Sequence, residues 1–314
     1  MCLPALCGFN WGTICLPLKG MENTLSVLPG EIDTGALHGY LLGAVGPRPI
    51  AFASTIDSGG RPNLSPFSFF NVFSTNPPVL VFSPSRRVRD NTTKHTLNNV
   101  LATGEVVINV VDYDLVQQAS LASTEYAEGE NEFIKAGLTM QTSDLVKPFR
   151  VAESPVQFEC KVMKVEAMGQ QGGAGNLVFA EVLKVHIKRH ILDGDGRIDP
   201  HKIDLVARMG GNWYSRAREG LFEVPKPLAS KGIGIDMIPE QIRHSRLLTG
   251  NDLGKLGNVE RLPGAGEIED FIAGDKELGD IIRAGDESLR FEKARQYLSN
   301  DEVLPAWMVL LAKK

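Results

Sequence analysis

The sequence predicts a mainly β domain with interspersed α-helix, an antiparallel barrel rather than regular βαβ repeats, followed by a helical C-terminal extension. Three observations predict it. Apolar runs between Pro49 and Ile187 have strand character, rich in β-branched residues or strictly alternating. Only brief helical stretches interrupt them. After about residue 225 the composition changes to helical segments punctuated by Gly and Pro. A length of 314 residues allows roughly two domains at about 150 residues each.

The first strand runs from Ile50 to Ile56 and meets a tight Asp57-Ser58-Gly59-Gly60 turn. A second run, Ser65-Pro66-Phe67-Ser68-Phe69-Phe70, follows, so strand, Gly turn and strand read as a hairpin. Val79 to Phe82 and the β-branched run Val106 to Val111 are further strands. Val156 to Val162 alternates strictly, as a strand with one wet face does, and Leu177 to Ile187 is another long strand. Asp90 or Asn91 is placed to cap a helix through Lys94, Leu97, Val100 and Leu101, stopped by Gly104. Asp112 or Asp114 opens a second, through Val116 and Leu121. Asn131 to Ala136 makes a short third, with Gly137 behind it. Pro225, Pro227, Gly232 and Gly234 read as a linker. Beyond it, Pro239 to Leu248 is a short helix with Pro in its first turn. Ile268 to Ile282 and Glu287 to Leu298 are helical, and Trp307 to Leu311 is a terminal apolar piece.

Hydrophobic content of 43% and charged content of 23% support an ordinary buried core. A net charge of -5 argues against a nucleic-acid partner, which wants a basic face. No apolar run approaches the roughly 20 residues of a membrane helix. Met1 to Gly20 carries Cys2, Cys7, Cys15 and Trp11. It lacks the basic n-region and clean apolar run of a signal peptide, and reads as an extension ahead of a start at Met21. Without it only Cys160 remains, so no disulfide framework is expected, which fits a reducing cytoplasm.

Two segments suit a ligand that is aromatic and phosphorylated. Arg48, Ser54, Thr55, Ser65, Ser68 and Asn71 place a cation, four hydroxyls and an amide on an otherwise apolar hairpin. Hydroxyls and backbone amides can meet the polar edge of a flavin while apolar groups cover its face; equally, they can point to water on a plain barrel hairpin. Ser83-Pro84-Ser85-Arg86-Arg87-Val88-Arg89 precedes Asn91-Thr92-Thr93-Lys94-His95-Thr96. Cations and hydroxyls before a helix start can hold a phosphate, or can form an ordinary basic loop. In Arg208-Met209-Gly210-Gly211-Asn212-Trp213-Tyr214, the glycines permit close approach and an aromatic can stack on a ring, or the segment can be a core-closing turn with buried aromatics.

Other motifs fail on inspection. Asp193-Gly194-Asp195-Gly196 begins like a calcium loop, but Arg197, Ile198 and Asp204 stand at positions that need other residues, so it is a solvated turn. His186 and His190 share helical ligand spacing inside a strand, and read as surface histidines. Gly172-Gly173-Ala174-Gly175 lacks a dinucleotide fingerprint and reads as a flexible loop. No metal site and no catalytic triad or carboxylate pair is expected.

The chain resembles the flavin reductase-like, FMN-binding split-barrel family, the group that includes the reductase component of nitrilotriacetate monooxygenase. The resemblance is carried by Pro47-Arg48-Pro49-Ile50-Ala51, Ser54-Thr55, Asn63 to Asn71, Pro77-Pro78, Lys94 to Asn99, Thr103 to Asn109 and Arg208 to Gly211. It implies a Greek-key-like split β-barrel that forms a homodimer, with FMN near the subunit interface. It implies that Ser54, Thr55 and Ser65, Pro66, Phe67 and Ser68 line the flavin ring and ribityl chain. Ser83, Arg89, Lys94 and Thr96 would hold the phosphate, with Arg48 and Asn71 as further cofactor contacts. The implied activity is hydride transfer from NADH or NADPH to flavin, then electron delivery to free flavin, oxygen or a partner oxygenase. A non-enzymatic FMN-binding or sensing module, and an interaction protein acting through its helical tail, are the competing readings. His95 departs from the family pattern, which often has Asp in a Lys-Asp-Thr triplet. The expected organisation is an extension over 1–20, the FMN-binding domain over 21–224, and a linker with helical extension over 225–314.

Overall fold

The computed structural model describes residues 24–224 and 231–313. The expectations for Met1 to Gly20, for a start at Met21 and for the linker prolines Pro225 and Pro227 lie outside these residues. The chain divides into two compact units, the first ending at Leu221 and the second beginning at Phe222.

The first unit opens with α1 (Thr34–Ala44), capped by Asp33, whose side chain accepts the Ala36 N–H. The sequence reading does not include α1. Its three glycines lower helix propensity, and none of its residues is buried, so no apolar stripe marks it. The strands β1 (Ala51–Ile56), β2 (Pro62–Phe67), β3 (Phe70–Thr75) and β4 (Pro78–Phe82) follow. Next come α2 (His95–Thr103), β5 (Glu105–Val110), α3 (Val116–Leu121), α4 (Glu132–Lys135) and the short β6 (Met140–Gln141) and β7 (Arg150–Val151). The long β8 (Val156–Ala167) and β9 (Asn176–Ile187) precede α5 (Pro200–Ile203), β10 (Val206–Arg208) and β11 (Tyr214–Arg216).

Seven of these strands form one antiparallel sheet in the order β2-β1-β5-β8-β9-β4-β3. The predicted hairpin is β1–β2, with Ala51 opposite Phe67 and Ile56 opposite Pro62, but its second strand is Pro62–Phe67 rather than Ser65 to Phe70, and Phe70 begins β3. Every residue of β1 is buried. Phe52 packs with Leu64, Leu115 and Phe133 on one side, while Ala51 and Ala53 join Phe67, Phe82, Val106 and Ile108 on the other. That double burial explains an apolar run without alternation. Asn109 is the buried polar tie in this layer: its amide donates to the Phe52 carbonyl and its oxygen accepts the Val151 N–H, both at 2.9 Å.

Gly104 ends α2 in the left-handed region, as the sequence implies. The expected cap does not hold. Lys94 occupies the cap position, and the helix begins at His95 rather than just after Asn91. Asp90 instead accepts from Thr92, and Asn91 adopts a positive φ while its side-chain oxygen accepts from Arg86. A local turn therefore consumes both side chains before the helix starts. Asp112, not Asp114, serves α3, by accepting the Leu115 N–H. The expected short third helix is α4, with Asn131 as its cap.

The second unit is all helical, apart from turns: α6 (Glu240–Arg243), α7 (Gly250–Gly257), α8 (Ala265–Ala273), α9 (Lys276–Ala284), α10 (Glu287–Ser299) and α11 (Val303–Leu311). Two expectations are corrected. The helix after Pro239 covers four residues only. The stretch Ile268 to Ile282 is two helices, because Gly274 ends one and Asp275 caps the next through the Leu278 N–H. Their core surrounds the fully buried Trp307, whose indole N–H donates to the Leu256 carbonyl at 3.0 Å. No helix among the described residues is long and apolar enough to cross a membrane.

Asn109→Ala leaves the Phe52 carbonyl and the Val151 N–H without this partner in the interior. The expected cost is about 1–3 kcal/mol, the scale of an orphaned buried group. A urea midpoint for the first unit that stays at the parent value would contradict this assignment.

Candidate functional site

The register of the β1–β2 hairpin places Ser65 opposite Ala53 and Pro66 opposite Phe52. A buried amide–hydroxyl cluster then locks α2 onto this hairpin. Asn63 donates to Thr96 at 2.9 Å and to Thr55 at 3.4 Å, and Asn99 donates to Thr55 at 3.0 Å. Because Thr96 is in the first turn of α2, Lys94 is held beside Ser65.

Two adjoining spaces open over the hairpin, sharing Ser123. The larger holds about 330 Å3. Ile50, Pro66, Val116 and Ala119 supply its apolar wall; Ser68, Ser120, Asn212 and Tyr214 supply polar edges. Its size and mixture suit a ring system with a polar rim. The smaller holds about 20 Å3 between Ser65, Arg87, Lys94, Thr96 and Glu125.

Beside this second space three cations converge on the Glu125 carboxylate, and the Glu132 carboxylate also lines it. Glu125 Oε1 lies 2.9 Å from Arg87 Nε and 3.8 Å from Lys94 Nζ, and Oε2 lies 3.0 Å from Arg89 Nη2. Arg87, then Arg89, holds the Glu125 carboxyl below the usual carboxylate range. Burial, then the neighbouring Arg87, pushes Lys94 below the usual lysine value. The guanidinium of Arg87 is aimed by bonds from Nη1 to the Thr92 hydroxyl and the Thr93 carbonyl. Such a cluster of fixed cationic donors suits a dianionic phosphate.

The structure thus brings together Ser65, Pro66, Ser68, Lys94 and Thr96, with Arg89 at the rim. It does not bring the other expected residues to these spaces. Ser54 and Thr55 are fully buried, and the Thr55 hydroxyl is occupied by the two asparagines. Phe67 belongs to the core, its ring 5.5 Å from Phe82. Asn71 is on the edge strand and bonds the Val72 N–H. Ser83 accepts the Asn176 N–H. Arg48 is a scaffold residue. Its guanidinium donates to the Leu42, Val45 and Met209 carbonyls at 2.7, 2.6 and 2.9 Å. Burial, then Arg208, lowers its pKa. Arg87, Ser120, Ser123 and Glu125 are additions. Arg87 stands in the basic segment already singled out; Glu125 has no local signal.

Three segments differ from expectation. Trp213 is 78% exposed, so the segment from Arg208 to Tyr214 is not a core-closing turn with buried aromatics; Arg208, Asn212 and Tyr214 border the larger space. The segment Gly172 to Gly175 is packed rather than flexible. Gly173 N–H and the Ala174 carbonyl bond both ways with Arg86, and a Cβ on Gly172 would lie 3.0 Å from backbone atoms of Arg87 and Val88. His186 is not a surface histidine, because its Nε2 lies 2.6 Å from the fully buried Glu159, which also accepts the Asp144 and Leu145 N–H groups. Asp144 shares this cluster and pairs with Lys184 at 2.5 Å. The Asp193 turn is as expected, with that carboxylate accepting the N–H groups of Asp195 and Arg197.

A family model described as a flavin reductase like domain matches residues 44–200. An uncharacterized protein of Aquifex aeolicus is 40% identical over 187 residues, covering 60% of this chain and 93% of that protein. Among solved structures, nitrilotriacetate monooxygenase component B from Bacillus cereus is 26% identical with a TM-score of 0.59, covering 65% of this chain and 98% of that one. A split barrel domain protein from Shewanella frigidimarina is also 26% identical, with a TM-score of 0.54 and coverages of 63% and 95%. The first unit has that split-barrel architecture, and the family match ends before the helical unit.

Beneath the smaller space, Glu132 is nearly buried and accepts the Leu64 N–H at 3.0 Å. Burial raises its pKa above the ordinary glutamate value of 4.5, and the Leu64 bond only partly opposes this. A carboxyl raised on folding destabilises the fold where it is ionised, so the penalty is absent at low pH and grows as pH rises past 4.5. Glu132→Gln is therefore expected to melt higher than the parent at pH 7, with the difference closing toward pH 4. A difference that widens on acidification would refute this.

Proposed function

We propose a function from one premise: the chain belongs to the flavin reductase like domain family. It is an FMN-dependent NAD(P)H oxidoreductase. Bound FMN supplies hydride acceptance from NADH or NADPH and electron delivery to free flavin, oxygen or a partner oxygenase.

The observation that carries this reading is the joining of a cation cluster to an apolar space over one hairpin. Arg87 and Lys94, with the hydroxyls of Ser65 and Thr96, are suited to hold the phosphate. Ile50, Pro66, Val116 and Ala119 are suited to cover a ring and keep water from its face, with Ser68 and Asn212 facing its polar rim. The donor set fits the group on its own chemistry: fixed cationic donors at one end, an apolar wall with polar groups at the other. Hydride transfer asks little acid–base work of side chains, so the residues described bind, orient and exclude water.

A homodimer is part of the proposal. The edge strand β3 leaves Val72 58% and Phe73 70% exposed, an apolar edge that a second copy would cover. Light scattering is expected to give twice the chain mass, and Phe73→Glu to reduce it to a single chain. A single-chain mass for the parent would remove the dimer from the proposal.

The protein as purified is expected to be yellow, and the flavin absorbance to bleach when NADH or NADPH is added without oxygen. Bound flavin that stays oxidised with both nucleotides would favour storage or sensing over reduction. The double variant Ser65→Ala with Ser68→Ala is expected to weaken FMN binding by roughly tenfold, the scale of two lost hydrogen bonds. Full occupancy in that variant would remove the site from this hairpin.

A further inference from the structure

We infer that Glu125 is a tethered stand-in for the ligand's phosphate, so that phosphate entry requires its carboxylate to leave Arg87, Arg89 and Lys94. This rests on the reading of that cluster as a phosphate site.

Space gives the first argument. The gap left among Ser65, Lys94, Thr96 and Glu125 is about 20 Å3, room for about one water. A phosphate cannot reach Lys94 and Arg87 together while the Glu125 side chain lies between them. Contacts give the second. Both carboxylate oxygens are spent on the three cations, which is the pattern a phosphate would itself make. Asp90 also leans on Arg89, at 3.3 Å, so that arginine is shared between two carboxylates.

The tether gives the third argument. Glu125 lies between α3 and α4, outside any helix or strand, in a segment turned by the bonds Thr124 N–H to Leu121 and Tyr126 N–H to Thr124. Its side chain is 43% exposed, and Arg87 and Arg89 are its carboxylate's hydrogen-bond partners. Exposed ion pairs of this kind are weak and screened by salt. A phosphomonoester dianion brings more charge and more acceptor oxygens to the same donors, and displaces the carboxylate. A flavin without phosphate makes no such demand. The carboxylate therefore attenuates binding of the phosphorylated ligand alone.

FMN and riboflavin are titrated into the full chain and its variants, followed by flavin fluorescence. Glu125→Gln, which keeps shape and removes charge, is expected to tighten FMN by roughly five- to tenfold, the scale of one charge-assisted contact near the surface. Riboflavin affinity stays within about twofold, which also reports an intact fold. Arg87→Ala is expected to weaken FMN but not riboflavin. In the Arg87→Ala background the gain from Glu125→Gln shrinks. If Arg87→Ala behaves so while Glu125→Gln leaves FMN unchanged or weaker, the phosphate reading stands and the stand-in is refuted. If Arg87→Ala moves neither flavin, the phosphate reading fails and the inference falls with it.

Discussion

Asn63 joins the hairpin to α2, and the geometry of the site depends on that join. Its amide reaches Thr96 in the first turn of α2 and Thr55 on the neighbouring strand, and Asn99 closes the cluster from one turn further along. All four side chains are buried. A buried amide or hydroxyl without a partner is costly, so the cluster holds one relative placement of helix and hairpin. That placement brings Lys94, just ahead of α2, against Ser65 on β2. Asn109 does comparable work one strand away, tying β1 to the β7 segment through backbone groups.

Upon this frame the chain path gathers the charges of the site. The segment from Ser83 to Thr93 is held by Gly172 to Gly175 on one side, and its own Asp90–Thr92 turn sets the direction of Arg87 and Arg89. Arg87 then lines the space beside Lys94, and Glu125 reaches both arginines. The partly buried Lys94 is left with its charge only partly offset. The proposed phosphate role rests on this gathering of cationic donors more than on any single residue.

The helical unit follows different physics. Its helices are short and closed by side-chain caps at Thr249, Asp275 and Asp286. Their shared core around Trp307 gives stability that helices of this length lack alone. Most helices there were legible from apolar spacing, but α7, in a glycine-rich stretch, was not, nor was the break at Gly274, because an apolar period continues across it while Asp275 restarts the backbone bonds.

Local chemistry, written in the sequence itself, determined β1, β4, β5, β8 and β9, the hairpin turn, the Gly104 stop of α2 and the presence of a basic segment ahead of a helix. The order and spacing of its motifs also determined the family. Tertiary structure alone decided which polar groups reach the site. Ser54, Thr55, Ser65 and Ser68 are alike as residue types, yet the first two lie in the interior and the last two border the open spaces. A strand buried on both faces carries no in–out alternation, so period-two reasoning has no sign to read on β1. Arg48 looked like a ligand cation and is consumed by three carbonyls, a demand set by where α1 and the Met209 segment end. Glu125 is 38 positions from Arg87. Coulomb attraction acts through space, and no local pattern of the chain announces which carboxylate the fold will carry to a distant cluster of cations.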